Sequence, residues 1–232
     1  GLSNGSANDQ FVVQAAKSSF DRGVSGGVVG TAARILQALR QHHCIRVPDV
    51  ICAGQTIDKA FLVLEYLPLI NDNGGNWHQL AQQLALLHKQ HDQAMYGFDW
   101  DNRLGGTVQP NKWQANWSSF FSEQRIGWLL QLLLEQGFGF GNIDQLVEQC
   151  RQRLHHYQPA PSLLHGDLWR GNVGFVGDSP AVFDPACYYG DREADLAYTT
   201  LFGRLSFDGR DWLEKVHHTK GADQRQRHDD GR

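Results

Sequence analysis

Three oxygen-bearing side chains stand close together in the sequence, each beside a short apolar run. Asp167 closes "PSLLHGD", Asn172 comes five positions later, and Asp184 lies in "PAVFDP", twelve positions after Asn172. The D-x-x-x-x-N spacing is that of the catalytic loop of phosphoryl-transfer enzymes. In such a loop the Asp accepts the proton of the attacking hydroxyl, and the Asn and a later Asp hold the metal. Mg²⁺ needs few protein carboxylates, because phosphate oxygens and water supply its other ligands.

Each of these residues also has a simpler interpretation. Asp167 alone would cap a turn, and Asp184 alone would be an ordinary loop residue. The combination favours the phosphoryl-transfer site, because His165 and Gly166 precede Asp167 and apolar runs flank the motif. A β-hairpin formed by "NVGFVG" and "PAVFDP" would return Asp184 to the neighbourhood of Asn172.

Four further polar or aromatic residues belong to the surroundings of this motif. Trp169 and Arg170 lie inside the loop, where both are candidates for substrate contact, although Trp169 would equally pack against the helical part of the fold. Asp191 and Asp195 open a later helix. They either hold the loop by hydrogen bonds or are exposed helix-start charges without a special role.

The elements that position these residues follow from apolar periodicity. Runs rich in Val, Leu and aromatic residues predict strands in "FVVQ", "RVPDVICAG" and "FLVLEYL", and shorter ones around the motif itself. Apolar residues at spacings of three and four predict helices at 77–88, at about 112–135, and at about 143–157. The predicted stripe of the second helix comprises Trp113, Trp117, Phe120, Phe121, Trp128 and Leu132.

The composition argues against several classes of protein. A formal net charge of −4 argues against a nucleic-acid binder, which usually presents a basic face. No apolar run approaches the roughly 20 residues that span a bilayer, and the first residues lack the features of a secretory signal. The four cysteines form no C-x-x-C pair and are expected to be reduced thiols. We therefore expect a cytoplasmic protein that binds neither nucleic acid nor membrane.

The segments "LLHGDLWRGNVGF" and "AVFDPACYYGDREADLAYTTLFG" resemble the fructosamine kinase (ketosamine-3-kinase) family, whose members are related to aminoglycoside phosphotransferases. "FLVLEYL" and "LAQQLALLHKQ" are similar to the same family, and the resemblance covers about residues 45–203. It implies an α+β, protein-kinase-like two-lobe fold that uses ATP and Mg²⁺. It also implies phosphorylation of the sugar 3-hydroxyl of fructosamines or other ketosamines on glycated small amines or glycated proteins.

The resemblance assigns roles to individual residues. Asp167 would be the catalytic base, and Asn172 and Asp184 would be the Mg²⁺ ligands. The hinge that meets adenine, mainly through its backbone, would consist of Glu65, Tyr66 and Leu67. The simpler interpretation of Glu65 is a solvated charge at the end of a strand.

The N-terminal part departs from the family pattern. A kinase-like site uses a Lys on an early strand, paired with a Glu on the next helix. The strand "FVVQ" has Gln14 at the Lys position, and no Glu precedes Glu65, so this pair cannot form. The glycine cluster at 23–30 is predicted to be a flexible linker, because it follows that strand and lacks the G-K-[ST] of a phosphate loop.

These observations predict a truncated, β-rich N-lobe at residues 1–70 and a helical C-lobe at 71–207. Residues 208–232 are predicted to be a disordered polar tail, because no large apolar residue follows Thr219. Loss of the family pattern on both sides of an intact middle leads to the hypothesis of altered reading frames there. Two alternatives stay open. One is an aminoglycoside- or choline-type small-molecule kinase; the other is a catalytically silent kinase-like fragment.

Overall fold

A computed structural model describes residues 11–16, 25–57, 60–70, 75–90 and 92–201 of the chain. The predicted polar tail lies outside these residues and stays a prediction. Within the described ranges, no helix combines the length and the apolar character needed to cross a bilayer.

The first sheet has three antiparallel strands: β1 (Phe11–Ala16), β3 (Ala60–Glu65) and β2 (Val50–Gln55), in that spatial order. All three were predicted from their apolar runs. The central strand β3 buries Leu62 and Leu64, two positions apart, because alternate side chains of a strand point to the same face. Gln14 lies opposite Leu62 in the register of β1 with β3.

Helix α1 (Ser25–Gln41) contacts this sheet and contradicts the predicted flexible linker. Gly26, Gly27 and Gly30 lie inside the helix, whereas Gly23 lies outside the described residues. A helical Gly is less favourable than Ala by about 1 kcal/mol. The buried apolar face of α1 outweighs this preference, since tertiary packing supplies most of the stability of protein helices. Its buried side chains are Val29, Ala33, Ile35, Leu36 and Leu39.

Helix α2 (Trp77–Leu87) confirms the prediction for residues 77–88. It begins after Asn76, whose side chain accepts the backbone N–H of Gln79. The apolar side of α2 is buried through Leu80, Leu84 and Leu87.

The helix predicted at 112–135 begins later and is interrupted. It consists of α3 (Trp117–Phe121), a π-helical turn (Ser122–Gly127) and α4 (Trp128–Glu135). Trp113 precedes the helix, because Gln114 exchanges two backbone hydrogen bonds with Tyr96 instead. The π turn contains the buried Arg125. The predicted stripe is therefore buried only in α3; none of the residues of α4 is fully buried.

The remaining elements surround the D-x-x-x-x-N motif. Helix α5 (Ile143–Leu154) begins after Asn142, which accepts the N–H of Gln145, and α6 spans Arg192–Leu201. Three antiparallel pairs complete the described fold: β4 (Asn102–Leu104) with β5 (Thr107–Gln109), β6 (Ser162–Leu164) with β9 (Tyr188–Gly190), and β7 (Val173–Val176) with β8 (Ser179–Val182). The predicted hairpin around the motif is confirmed by β7 and β8.

One hydrophobic cluster connects the sheet, the helices and the motif. Leu39 of α1, Leu84 of α2 and Leu163 of β6 belong to the same buried core. The loop that carries Asp167 therefore leaves directly from the interior of the protein.

Candidate active site

The loop that carries the motif begins with a turn that requires glycine. β6 ends in Leu163 and Leu164, both buried, and Gly166 follows with φ +81°. A Cβ at Gly166 would lie 2.0 Å from the carbonyl oxygen of Ala186, which is backbone and has no room to move aside. Only glycine combines a left-handed φ with this close approach. The turn aims the next residue, Asp167, away from the core, and its side chain is half-buried.

Asp167 and Asn172 are in direct contact. The Asn172 Nδ2 donates to the backbone oxygen of Asp167 at 2.8 Å and to its carboxylate Oδ2 at 2.9 Å. Asn172 is buried and ends the 3₁₀ turn Arg170–Asn172. Because its amide nitrogen faces Asp167, its amide oxygen is the atom left to face another ligand.

The β7–β8 hairpin returns the chain to Asn172, as the sequence predicts. The backbone N–H of Phe183 donates to the backbone carbonyl oxygen of Asn172 at 3.1 Å, so Asp184 follows directly beside the loop. Asp184 is exposed and adopts a left-handed φ of +53°, a conformation that Asp and Asn tolerate better than most residues. The three residues singled out from the sequence thus meet at one place.

The surroundings of Asp167 make its carboxylate more basic. Burial is the largest effect and raises its pKa, and the negative charges of Asp184 and Asp195 raise it further. Hydrogen bonds from Asn172 and Trp169 oppose this rise, but the net pKa of Asp167 stays above the ordinary value. A carboxylate with a raised pKa is better suited to accept a proton from a hydroxyl.

The donor atoms at this place fit a hard cation. Among the described residues, no group of three or more His, Cys, Asp or Glu side chains could hold a metal by itself. The amide oxygen of Asn172 and the carboxylate of Asp184 provide two oxygen donors. Mg²⁺ prefers oxygen ligands and keeps several positions for water and phosphate, so the residues present suit Mg²⁺ bound together with a nucleotide.

Asp195 holds the start of the loop from the buried side. It is fully buried, its Oδ2 accepts the backbone N–H of His165 at 2.7 Å, and its Oδ1 accepts that of Gly166 at 2.8 Å. The predicted alternative of an exposed helix-start charge is therefore wrong for Asp195. Asp191 is also buried, so the exposed charge is wrong for it too. Its carboxylate accepts from the Tyr157 hydroxyl at 3.0 Å and from the Glu193 N–H at 3.1 Å, and both donors lie outside the loop.

Two buried histidines complete this support, and the sequence reasoning did not assign them a role. The fully buried His88, at the end of α2, places Nε2 2.9 Å from Asp195 Oδ2. His165 accepts the N–H of Asp167 on Nδ1 at 3.3 Å, which leaves Nε2 to donate to the Phe183 oxygen at 3.2 Å. His165 therefore connects the loop to the end of the hairpin. The signal for His88 was its position four residues after Leu84, on the apolar face of α2.

The pKa values of this cluster agree with a neutral His165 and an ionised Asp195. Burial lowers the pKa of His165, and the nearby Asp195 only partly offsets this effect. Burial alone would raise the pKa of Asp195, but the interaction with His88 and the hydrogen bond from the Gly166 N–H contribute to a net lowering of that pKa. The loop is thus held by a buried carboxylate that stays ionised.

The two candidate substrate residues differ in their surroundings. The ring of Trp169 covers Gly171, where an added Cβ would lie 2.2 Å from the indole, and Trp169 also donates a hydrogen bond to the side chain of Asp167. Trp169 therefore lies inside the loop, next to the Asp167 carboxylate. Arg170 is exposed.

The predicted hinge begins with Glu65, the last residue of β3, and leads towards the β7–β8 hairpin. Glu65 is not simply solvated: its carboxylate accepts from Arg46 at 2.9 Å and from the Asp49 N–H at 3.2 Å. Leu67 is buried, and the N–H of Ile70 donates to the Phe175 oxygen at 2.9 Å, which ties this segment to β7. Tyr66, between Glu65 and Leu67, is partly buried.

The sequence profile of the fructosamine kinase family matches residues 6–228. The chain belongs to the fructosamine kinase family. The family match extends beyond residues 45–203, where the resemblance was expected to end, and includes the N-terminal strand with Gln14. The α+β, protein-kinase-like fold expected from the resemblance is confirmed by solved structures of the family.

This member of the fructosamine kinase family is similar in sequence to bacterial relatives. It is 50% identical over 172 residues to a "probable ketoamine kinase" of Vibrio parahaemolyticus, covering 74% of this chain and 60% of that protein. It is 51% identical over 166 residues to one from Escherichia coli K12, covering 72% and 58%. The chain thus spans about 60% of the length of these relatives.

Two crystal structures of similar proteins share the fold. One is a "putative fructosamine-3-kinase" from Haemophilus somnus, with TM-score 0.83 and 35% identity over 90% of this chain and 69% of that one. The other, of the same description, comes from Thermobifida fusca, with TM-score 0.71 and 30% identity over 89% and 68% of the two chains.

Proposed function

We propose that this chain catalyses, with ATP and Mg²⁺, the phosphorylation of the sugar hydroxyl of fructosamines and other ketosamines on glycated amines. The observation that carries the proposal is the contact of Asp167 with Asn172 beside Asp184, in a member of the fructosamine kinase family. Its substrates would be glycated small amines or glycated proteins in the cytoplasm.

Asp167 would accept the proton of the sugar hydroxyl as that oxygen attacks the terminal phosphate. Its raised pKa makes the carboxylate a stronger base, and the two hydrogen bonds from Asn172 fix its position. General-base assistance of this kind contributes typically about 10²–10⁴-fold to a rate. Orientation by the loop is part of that contribution, because the base must lie within hydrogen-bond reach of the hydroxyl.

Asn172 and Asp184 would hold Mg²⁺ through their side-chain oxygens. The metal would neutralise negative charge on the phosphate oxygens of ATP. The protein contributes the fixed separation of these two ligands, which follows from the hydrogen bond between Phe183 and Asn172 at the end of the hairpin.

The adenine of ATP would meet the backbone of Glu65, Tyr66 and Leu67. The carboxylate of Glu65 already binds Arg46 and the Asp49 N–H. Its role is therefore to fix the course of the segment, and the backbone groups that follow are the ones that would face the base.

Trp169 and Arg170 would meet the acceptor. Trp169 lies between Gly171 and Asp167, so it would orient the base and border the sugar at once. The exposed guanidinium of Arg170 would reach the amine carrier, which extends beyond the sugar.

A second candidate is a kinase-like chain with little or no turnover. The observation that favours it is Gln14 at the Lys position, together with the absence of any Glu before Glu65. A Lys held by a Glu places a positive charge on the phosphates, and glutamine offers a donor without that charge. We expect turnover at least about 10²-fold below that of a relative with the pair, equivalent to roughly 2.8 kcal/mol in the barrier.

The deciding experiment is an ADP-release assay on three acceptors: a fructosyl-lysine peptide, kanamycin and choline. We expect activity on the glycated peptide above that on the other two, and its loss in Asp167→Asn. Preference for kanamycin or choline would overturn the substrate assignment. Release of ADP that persists in Asp167→Asn would overturn the site, and no turnover on any acceptor would support the silent alternative.

A further inference from the structure

A cleft outside the proposed catalytic site lies between α1 and the segment 92–113. It has a volume of about 380 Å³, within the range of roughly 300–1,000 Å³ that small-molecule pockets occupy. Neither Asp167, Asn172 nor Asp184 lines it.

One wall of the cleft is a continuous series of aromatic rings. Trp113 packs on Tyr189 with ring centroids 5.9 Å apart, and Tyr189 stacks on Phe98 at 6.3 Å. Phe98 meets the edge of Trp100 at 4.8 Å. The wall thus offers aromatic faces to a ligand.

Charged groups of both signs line the cleft without neutralising one another. Asp92 accepts from the Tyr189 hydroxyl at 2.7 Å, and Asp99 accepts from the Trp113 indole at 3.3 Å. Within the described residues, neither carboxylate has a Lys or Arg within ion-pair distance. Arg34 of α1 lies over the ring of Trp100, with its Cζ 3.8 Å from the ring centre.

Arg34 makes no ion pair with a carboxylate among the residues that the structure describes. Among the described residues that line it, the cleft therefore holds two carboxylates, one guanidinium and an aromatic wall. A ligand that complements this arrangement carries one carboxylate, two cationic groups, and an apolar chain to cover the rings. An ammonium group also gains from the aromatic faces by cation–π attraction.

We propose that this cleft binds a free basic amino acid of the lysine type. The α-carboxylate would face Arg34, the ammonium groups would face Asp92 and Asp99, and the methylene chain would cover the aromatic wall. The site goes beyond the proposed function, because its occupation involves α1 and not the D-x-x-x-x-N motif.

The test is a calorimetric titration of the full chain with L-lysine and two analogues. Cadaverine lacks the carboxylate, and 6-aminohexanoate lacks the α-ammonium group. We expect saturable binding of lysine at millimolar concentration, at least about tenfold tighter than either analogue, since each lacks one charged contact.

Three variants and two matched controls assign the contacts. Arg34→Gln should remove the preference for lysine over cadaverine, whereas Asp92→Asn and Asp99→Asn should weaken both ligands several-fold. Arg153→Gln on α5 and Asp178→Asn in the β7–β8 turn remove exposed charges elsewhere and should leave binding unchanged. Thermal melting of each variant verifies folding.

Three results would overturn the proposal: no saturation by lysine, equal affinity for cadaverine in the wild type, or unchanged preference in Arg34→Gln. Because binding is the readout, failure here leaves the proposed kinase activity untouched, and absence of kinase activity leaves this site intact.

Discussion

Replacement of Asp195 by Asn tests whether a buried carboxylate holds the loop that carries Asp167. Asp195 accepts three hydrogen bonds, from the N–H groups of His165 and Gly166 and from the ring of His88. An amide has one accepting and one donating end. In either orientation of Asn, its NH₂ group faces a backbone N–H of the loop, at His165 or at Gly166. One buried donor is then left without an acceptor.

The expected loss of stability follows from this one unsatisfied donor. An unsatisfied buried donor costs roughly 1–3 kcal/mol, so we expect Asp195→Asn to lower the free energy of unfolding by about 2 kcal/mol. For a chain of this size that corresponds to a Tm lower by about 4–8 °C. Urea unfolding followed by tryptophan fluorescence gives the free energy, provided that the denaturant slope is the same in both proteins.

The pH dependence of this difference has a definite sign. The folded pKa of Asp195 lies below its ordinary value, because His88, His165 and the Gly166 N–H outweigh burial. Its contribution to stability is therefore complete above the unfolded value of about 3.9 and is lost as the pH falls through the folded pKa. The difference in the free energy of unfolding between the wild type and Asp195→Asn should stay constant around neutral pH and shrink below ~pH 4.

A matched control and a double variant complete the experiment. Asp178→Asn removes an exposed carboxylate in the β7–β8 turn and should change stability by less than about 0.5 kcal/mol. His88→Gln together with Asp195→Asn should lose less than the two single variants added, since both act on one contact. A loss below about 0.5 kcal/mol in Asp195→Asn would refute the role of this carboxylate as the anchor of the loop.

Three further predictions concern the site itself. Asp184→Asn should weaken Mg·ATP binding at least about tenfold, and far more than Asp167→Asn, because Asp184 is the proposed metal ligand; calorimetry with and without Mg²⁺ measures this. Trp169→Phe should raise the pKa of Asp167, since it removes a hydrogen bond that lowers that pKa; the acid limb of the kcat/KM profile should move to higher pH. Gln14→Lys should increase kcat/KM little by itself. When a Glu is also added on α1 between residues 28 and 36, the gain in kcat/KM should exceed the gains of the two single variants combined.

Each of these three has a contradicting result. ATP binding that is equally tight with Mg²⁺ and in EDTA would count against Asn172 and Asp184 as metal ligands. Asn tolerates the left-handed φ of Asp184, so Asp184→Asn tests the charge with little change in the backbone. An acid limb that stays in place in Trp169→Phe would leave Trp169 only a packing role. Ordinary kinase turnover of the unmodified chain would show that the pair missing at Gln14 is dispensable or supplied from elsewhere.

Structural features that depend on residues close in sequence were predicted correctly from the sequence alone. The spacing of Asp167, Asn172 and Asp184 predicted a loop and a returning hairpin, and the structure has both. Such features depend on neighbours a few residues apart, where turn geometry and alternation of apolar residues decide the conformation. The same holds for α2, whose leucines recur at helical spacing.

Tertiary contacts decided the rest. Packing of α1 against the sheet made a helix of glycines that by themselves favour a linker. Pairing of Gln114 with Tyr96 delayed the helix that periodicity predicts from residue 112. The contact between His88 and Asp195 joins residues 107 positions apart. No local pattern specifies such a partner, because burying a polar group is favourable only where the fold brings a second group to satisfy it.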